Sequence, residues 1–379
     1  MVANNVGHEE EKDDRMMDAV RYHGPNQPLV LEKVAVPEIG PDDVLVEVKA
    51  AALCHTELHF ADGTLNLGVL PITMGHEVVG FVSKCGSNVS SDRIGERVIV
   101  YYYVGCGKTN KNNNNTADAE HEDECRWCAD GQEQICPSLK AEFGFVSDGG
   151  LANYLSAPAR NAVVLPDNIR FEDAAPIGCG VTTAVHSANL ANVKENDWAV
   201  VYGTNGVGFG LVQLLKNKYK ARVIAISRSA DKLEKAKELG ADAVVDGTDA
   251  SAVGAAVREI IGGGEGADVI FECVGNRTTM DACVGWTGIL GRRGRLILVG
   301  YHAGIDHEFR CHPLPLIVYE QSIIGSVGAT LDDLKEAVAL VSSGQVKTVV
   351  DSVVPLSQFQ EGLDKIKDCS CVGKVVCTV

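Results

Sequence analysis

Cys125, Cys128 and Cys136 follow one another as C-x2-C-x7-C, and Cys106 lies upstream in the turn Gly105-Cys106-Gly107. Thiols this closely spaced in a polar loop are zinc ligands rather than core residues. Four thiolates close a tetrahedral site and leave no position for a substrate, so a zinc held here is structural. Cys54, His76, Glu77 and Cys179 form a second candidate set. Taken singly, the two thiols could be core cysteines and His76 a satisfied core histidine, and spacing alone does not join them. A Cys-His-Cys set would nevertheless leave the open fourth position that a catalytic zinc needs.

A third chemical signal is the turn Gly203-Thr204-Asn205-Gly206-Val207-Gly208. It stands between an apolar strand and a helix, where glycines allow a tight turn and let a pyrophosphate reach the helix amides. Asn205 occupies the place of the pattern's second glycine; asparagine tolerates positive φ better than most residues, which would let the turn survive. The carboxylate that grips an adenosine ribose in NAD sites should come about 20 residues later. Ser227-Arg228-Ser229 stands there instead. Hydroxyls and a guanidinium suit a 2′-phosphate, so NADP(H) is expected over NAD(H).

Elements must position these groups. The chain of 379 residues exceeds what one core usually serves, and two domains are expected. Up to about residue 180, short runs at 29–34, 44–48, 78–82 and 97–103 are punctuated by glycine and proline, as in a partly antiparallel β domain. From about residue 197, strands at 198–203, 222–227, 269–272 and 295–299 alternate with helical segments, the pattern of a doubly wound parallel sheet. The pattern ends near 323–327; a helix over 332–342 follows, with Thr330 and Asp333 as its capping pair, and the strand 372–379 returns to the first domain. The segment 109–124 has no apolar residue larger than alanine and reads as a solvated loop.

With 51 acidic against 34 basic residues, the net charge of −17 disfavours phosphate backbones and anionic lipid, so no nucleic-acid or membrane partner is expected. The first residues are polar and acidic without an apolar core, and no run of 18 apolar residues occurs. Thirteen cysteines, an odd number without a secretory start, fit a reducing cytoplasm.

Cys54-His55-Thr56-Glu57-Leu58-His59, Gly75-His76-Glu77-Val78-Val79-Gly80, the four-cysteine lobe, Gly178-Cys179-Gly180 and the dinucleotide turn together resemble the zinc-containing medium-chain alcohol dehydrogenases, from about residue 18 to the end. His-Thr after Cys54 is most similar to the yeast and bacterial branch. The resemblance implies an α/β protein: a mostly-β GroES-like catalytic domain (18–180 and 328–379, with the zinc lobe at 105–137), a Rossmann coenzyme domain (181–327) and a disordered extension (1–17). It implies that Cys54, His76 and Cys179 bind a catalytic zinc, with Glu77 behind the metal or a transient ligand. Thr56 would take the alcohol proton and pass it through the coenzyme ribose to His59. His55 and Lys374 would lie near the pyrophosphate, Thr183 at the nicotinamide, and Tyr102 in the substrate pocket. A homodimer or homotetramer acting on a small alcohol, aldehyde or ketone is expected.

Zinc lowers the pKa of bound water from 15.7 to about 7, roughly 12 kcal/mol; the same effect on an alcohol makes hydride loss to the nicotinamide accessible near neutral pH. The family's lobe usually reads C-x2-C-x2-C-x7-C, whereas 18 residues separate Cys106 from Cys125. A ninefold longer loop costs about 2 kcal/mol in closure entropy, against roughly 10–16 kcal/mol from structural zinc, so the site should survive. Two alternatives remain: an NADPH-dependent aldehyde reductase, and a non-catalytic zinc- and nucleotide-binding relative, which loss of a catalytic ligand would betray. Cys54, His76 and Cys179 are all present.

Overall fold

The computed structural model describes residues 15–108, 124–301 and 308–379. Its C-terminal half holds a six-stranded, wholly parallel sheet in the order Ala243–Asp246, Arg222–Ser227, Trp198–Tyr202, Ala267–Glu272, Leu290–Leu298, Ser322–Gly325. Successive side chains point to opposite faces, and both faces are covered. Val201, Ala225 and Phe271 pack with the helix Gly206–Asn217 on one side, while Val200, Ile224 and Ile270 pack with Val253 and Val257 of the helix Ala250–Ile261 on the other. Burial on both faces explains the near-continuous apolar runs.

The other half is built on a seven-stranded sheet. Its path runs Ala162–Val164, Arg97–Val100, Glu77–Cys85, Asp43–Ala52, Lys374–Thr378, Val350–Pro355, with Tyr154–Pro158 pairing to Asp43–Ala52. The C-terminal strand does return to the first half, setting Val376 opposite Ala52. The helix Leu331–Ser342 begins at Thr330, whose hydroxyl accepts from the Asp333 amide at 3.0 Å while the Asp333 carboxylate accepts from the Thr330 amide, completing the expected capping box.

Two expectations change. The resemblance implies a disordered extension over 1–17; residues 1–14 lie outside those described, but Met16 and Met17 open the strand Met16–Tyr22, paired to Ala35 and Val34. Alternation simply begins earlier than the acidic composition suggested. The run 97–103 is also not one strand. It breaks after Val100, and Tyr103–Val104 pairs with Ala141–Glu142 in a separate ribbon. The cause is buried Asn161, whose side-chain amide donates to the carbonyls of Tyr101 and Tyr103 at 2.8 Å each and so replaces a sheet partner.

Candidate metal centres and coenzyme cleft

The four lobe cysteines converge, their sulfurs all within 4.8 Å of one another. The Cys106–Cys128 and Cys125–Cys136 sulfur pairs are 3.6 and 3.8 Å apart. A tetrahedron with Zn–S bonds of 2.3 Å has edges of about 3.8 Å, so the thiols already stand at zinc spacing. Backbone holds them there: the Cys106 amide donates to Cys136 Sγ at 3.5 Å, and the Gly105 amide donates to Glu133, itself clamped by both guanidinium nitrogens of Arg160. The segment 109–124 falls largely outside the described residues. Its neck is visible: the Cys125 amide donates to the Lys108 carbonyl at 3.1 Å, so the chain leaves and returns at one point and the ligand cluster is undisturbed.

The second set comes from three separate segments. Cys54 precedes the helix His55–Ala61, Cys179 precedes the helix Gly180–Ala191, and His76 with Glu77 stands at the start of the strand Glu77–Cys85. Both sulfurs therefore sit at helix N-termini, but the hydrogen bond with Cys54 and burial push the Cys179 thiol well above its usual range. Cys54, His76, Glu77 and Cys179 offer ligand atoms within 4.8 Å of one another. A hydrogen bond with Cys179, then the charges of Lys374 and His76, hold the Cys54 thiol well below its usual range despite burial. Burial opposes the imidazolium of His76, but Cys54 and the carboxylates Glu57 and Glu77 lift it to about 9. Burial pushes Glu77 up to about 8 against the pull of Lys374. His76 Nδ1 and Glu77 Oε2 are buried without hydrogen-bond partners. Soft sulfurs, an imidazole and a carboxylate packed this tightly suit a zinc ion among them.

Around this cluster lie the other expected residues. Thr56 and His59 are one turn apart on the His55–Ala61 helix and both are buried, while His55 is exposed at its start. Thr56 Oγ1 is 3.7 Å from Cys54 Sγ. Thr183 is buried with its hydroxyl 3.8 Å from Cys179 Sγ. The buried Tyr102 ring lies 5.3 Å from His76. Lys374, expected beside the pyrophosphate, passes against the dinucleotide turn at Gly206, where a Cβ would come within 2.7 Å of its Cε. Its ammonium, however, turns inward and pairs with the buried Glu77 carboxylate.

The turn itself is as expected in place but not in conformation. Positive φ falls on Gly203 at +99°, whereas Asn205 is extended at φ −147°. Asparagine's tolerance of the left-handed region is therefore not what preserves the turn. Gly206 and Val207 open the helix Gly206–Asn217, with Gly208 in its first turn. Ser227 ends its strand half-buried, Arg228 is exposed, and the Ser229 amide donates to Ser227 Oγ at 3.3 Å.

Two residues escaped the sequence reading. Glu57 lies 3.7 Å from His76 Nδ1, where a carboxylate would orient this imidazole as a metal ligand. The spacing Cys54-x-x-Glu57, a helix-capping pattern, was its available signal: Glu57 also accepts from the Cys54 amide at 2.8 Å. Tyr301, beyond the strand Leu290–Leu298, sets its ring 5.4 Å from His59. No motif announced it, because it enters from the other half of the chain.

A parallel doubly wound sheet joined to a β domain with one closed thiol cluster and one mixed Cys-His cluster defines a zinc-binding dehydrogenase. Family models agree: residues 40–167 match the alcohol dehydrogenase GroES-like domain and 206–343 the zinc-binding dehydrogenase domain. An alcohol dehydrogenase of Geobacillus stearothermophilus is 33% identical over 93% of this chain and 97% of its own. A NAD-dependent alcohol dehydrogenase of Sulfolobus acidocaldarius is 28% identical over 96% and 100%. The crystal structure of the alcohol dehydrogenase from Aeropyrum pernix superposes with a TM-score of 0.83 at 31% identity, covering 96% of this chain and all of that one. The chain belongs to the zinc-dependent medium-chain alcohol dehydrogenase family. Among the described residues no helix is long and apolar enough to cross a membrane.

Proposed function

We propose that this protein interconverts a small alcohol and its aldehyde or ketone using NADP(H) in preference to NAD(H), with one catalytic and one structural zinc per chain. The observation that carries it is the convergence of Cys54, His76, Glu77 and Cys179 next to buried Thr56 and His59. Cys54, His76 and Cys179 would hold the catalytic zinc; Cys106, Cys125, Cys128 and Cys136 would hold the structural one. When bound, zinc would supply Lewis acidity toward the substrate oxygen and the nicotinamide would serve as the hydride acceptor or donor. The chain's own groups do the rest. Thr56 accepts the alcohol proton, and His59 is the terminal base that releases it to solvent. Tyr102 shapes the substrate pocket and Thr183 orients the nicotinamide ring. Glu77, paired with Lys374, modulates charge behind the metal.

Residues 16–180 and 328–379 form the catalytic domain, and 181–327 the coenzyme domain. Amides of Gly206, Val207 and Gly208, at the start of the helix Gly206–Asn217, would hold the pyrophosphate, aided by His55. The coenzyme preference rests on Ser227, Arg228 and Ser229: with no carboxylate to repel a 2′-phosphate, one charge-assisted hydrogen bond of about 1.5–3 kcal/mol favours NADP by roughly 10- to 150-fold. This also favours carbonyl reduction as the working direction. Exposed Leu314, Ile317 and Val318 on the helix Pro313–Tyr319, beside the edge strand Ser322–Gly325, support self-association as a homodimer or homotetramer. Thirteen free cysteines support a cytoplasmic setting. The test is kcat/KM with each coenzyme over a panel of primary, secondary and aromatic alcohols. NADP should exceed NAD, and Ser227→Asp should reverse the order; equal or better use of NAD by the wild type refutes the preference.

A further inference from the structure

Asn205 stands at the N-cap of the helix Gly206–Asn217, yet its side chain makes no capping hydrogen bond. An N-cap asparagine ordinarily satisfies an amide of the first helical turn. Here Asn205 Oδ1 instead accepts from the Gly373 amide at 2.9 Å, and Nδ2 faces Cys371 Sγ at 3.9 Å. The helix amides stay open to a phosphate, and the side chain crosses to the C-terminal segment of the other half. Lys232 makes a second tie to that segment, donating to the Cys369 carbonyl at 3.3 Å.

Gly373 directly precedes Lys374, whose amide donates to the Val349 carbonyl at 2.8 Å and whose side chain runs over Gly206 to Glu77. Lys374 Nζ also reaches the Leu53 carbonyl at 3.4 Å, next to Cys54. An unbroken set of contacts therefore leads from the dinucleotide turn through Asn205, Gly373 and Lys374 to the carboxylate in the Cys54–His76–Cys179 cluster.

We infer that Asn205 is a positioning residue: it clamps the segment 371–374 to the dinucleotide turn and so fixes Lys374 on Glu77, coupling the coenzyme cleft to the metal site. The inference rests on the reading of that cluster as the catalytic zinc site. A glycine at 205 would make the turn but not the clamp.

Hydrogen exchange on the zinc-loaded, coenzyme-free enzyme, followed by chelator-driven zinc release, tests it. Loss of one hydrogen bond corresponds to roughly a 2- to 13-fold change. Asn205→Gly should speed exchange in a peptide covering 369–376 by that factor and should accelerate release of one of the two zincs several-fold. Asn205→Asp, which keeps an Oδ1 acceptor, should exchange in that peptide like the wild type. Unchanged exchange in Asn205→Gly, or Asn205→Asp exchanging as fast as Asn205→Gly, would remove the clamp. Faster exchange with unchanged zinc release would remove its reach to the metal. A wild type that binds no zinc at the cluster would instead overturn the functional proposal, while leaving the exchange result to stand on its own.

Discussion

The two cysteine clusters use the same element in opposite ways. The lobe draws its four thiols from one stretch of chain, at 3.6 and 3.8 Å sulfur separations, and ties them with backbone amides near the surface. The second cluster draws Cys54, His76, Glu77 and Cys179 from three distant segments into a buried site crowded with acids and bases. Four like ligands complete a tetrahedron and serve stability. Three ligands with a carboxylate paired elsewhere would leave a position for chemistry. On the proposed assignment, the difference is between a site that helps hold the fold and a site that the fold holds.

That contrast can be broken most sharply at Cys54. Cys54→Ser should cut turnover by at least ~10³-fold while leaving the unfolding midpoint close to wild type, since an effect of several kcal/mol at the reacting oxygen is lost. A melting curve and a coenzyme-coupled assay report the two quantities. Cys128→Ser should do the reverse in kind, costing more than ~4 kcal/mol of stability by loss of the structural metal, measured by denaturant titration. Equal effects of the two variants on stability would erase the distinction.

A smaller effect is expected at His59. If it is the terminal base, His59→Gln should slow alcohol oxidation about 10-fold near pH 6, less near pH 9 where hydroxide can replace it, with coenzyme affinity unchanged. Superimposable pH profiles would withdraw the relay. The least effect belongs to the lobe's insertion. Deleting residues 109–124 restores C-x2-C spacing at Cys106 and, because the Cys125 amide already meets the Lys108 carbonyl, should keep two zincs and activity within about twofold. Stability should rise by no more than about 2 kcal/mol; loss of zinc from the shortened chain would show that the insertion shapes the site.

How much of this was legible follows from where each ligand set resides. The lobe's spacing is local, so residue types and intervals alone named its four ligands. The parallel sheet was equally legible, because burial on both faces writes continuous apolar runs into the sequence. The second cluster was not: Cys54 and Cys179 are 125 positions apart, and only family resemblance joined them. Lys374 was placed near the pyrophosphate by that resemblance, whereas its buried pairing with Glu77 depends on the return of the last strand beside Asp43–Ala52. Tyr301 carried no signal, since its ring meets His59 only across the two halves. Asn205 was visible as a departure from the glycine pattern, but the tie it makes to Gly373 lies in tertiary structure.

Zinc content measured together with turnover in the wild type and the two cysteine variants tests the account most directly. The wild type should carry two zincs per chain, and Cys54→Ser one, folded and inactive. Cys128→Ser should lose stability along with the lobe's zinc. A Cys54→Ser protein that retains two zincs, or that still oxidises alcohol at the wild-type rate, would contradict the assignment of the Cys54–His76–Cys179 cluster as the catalytic centre.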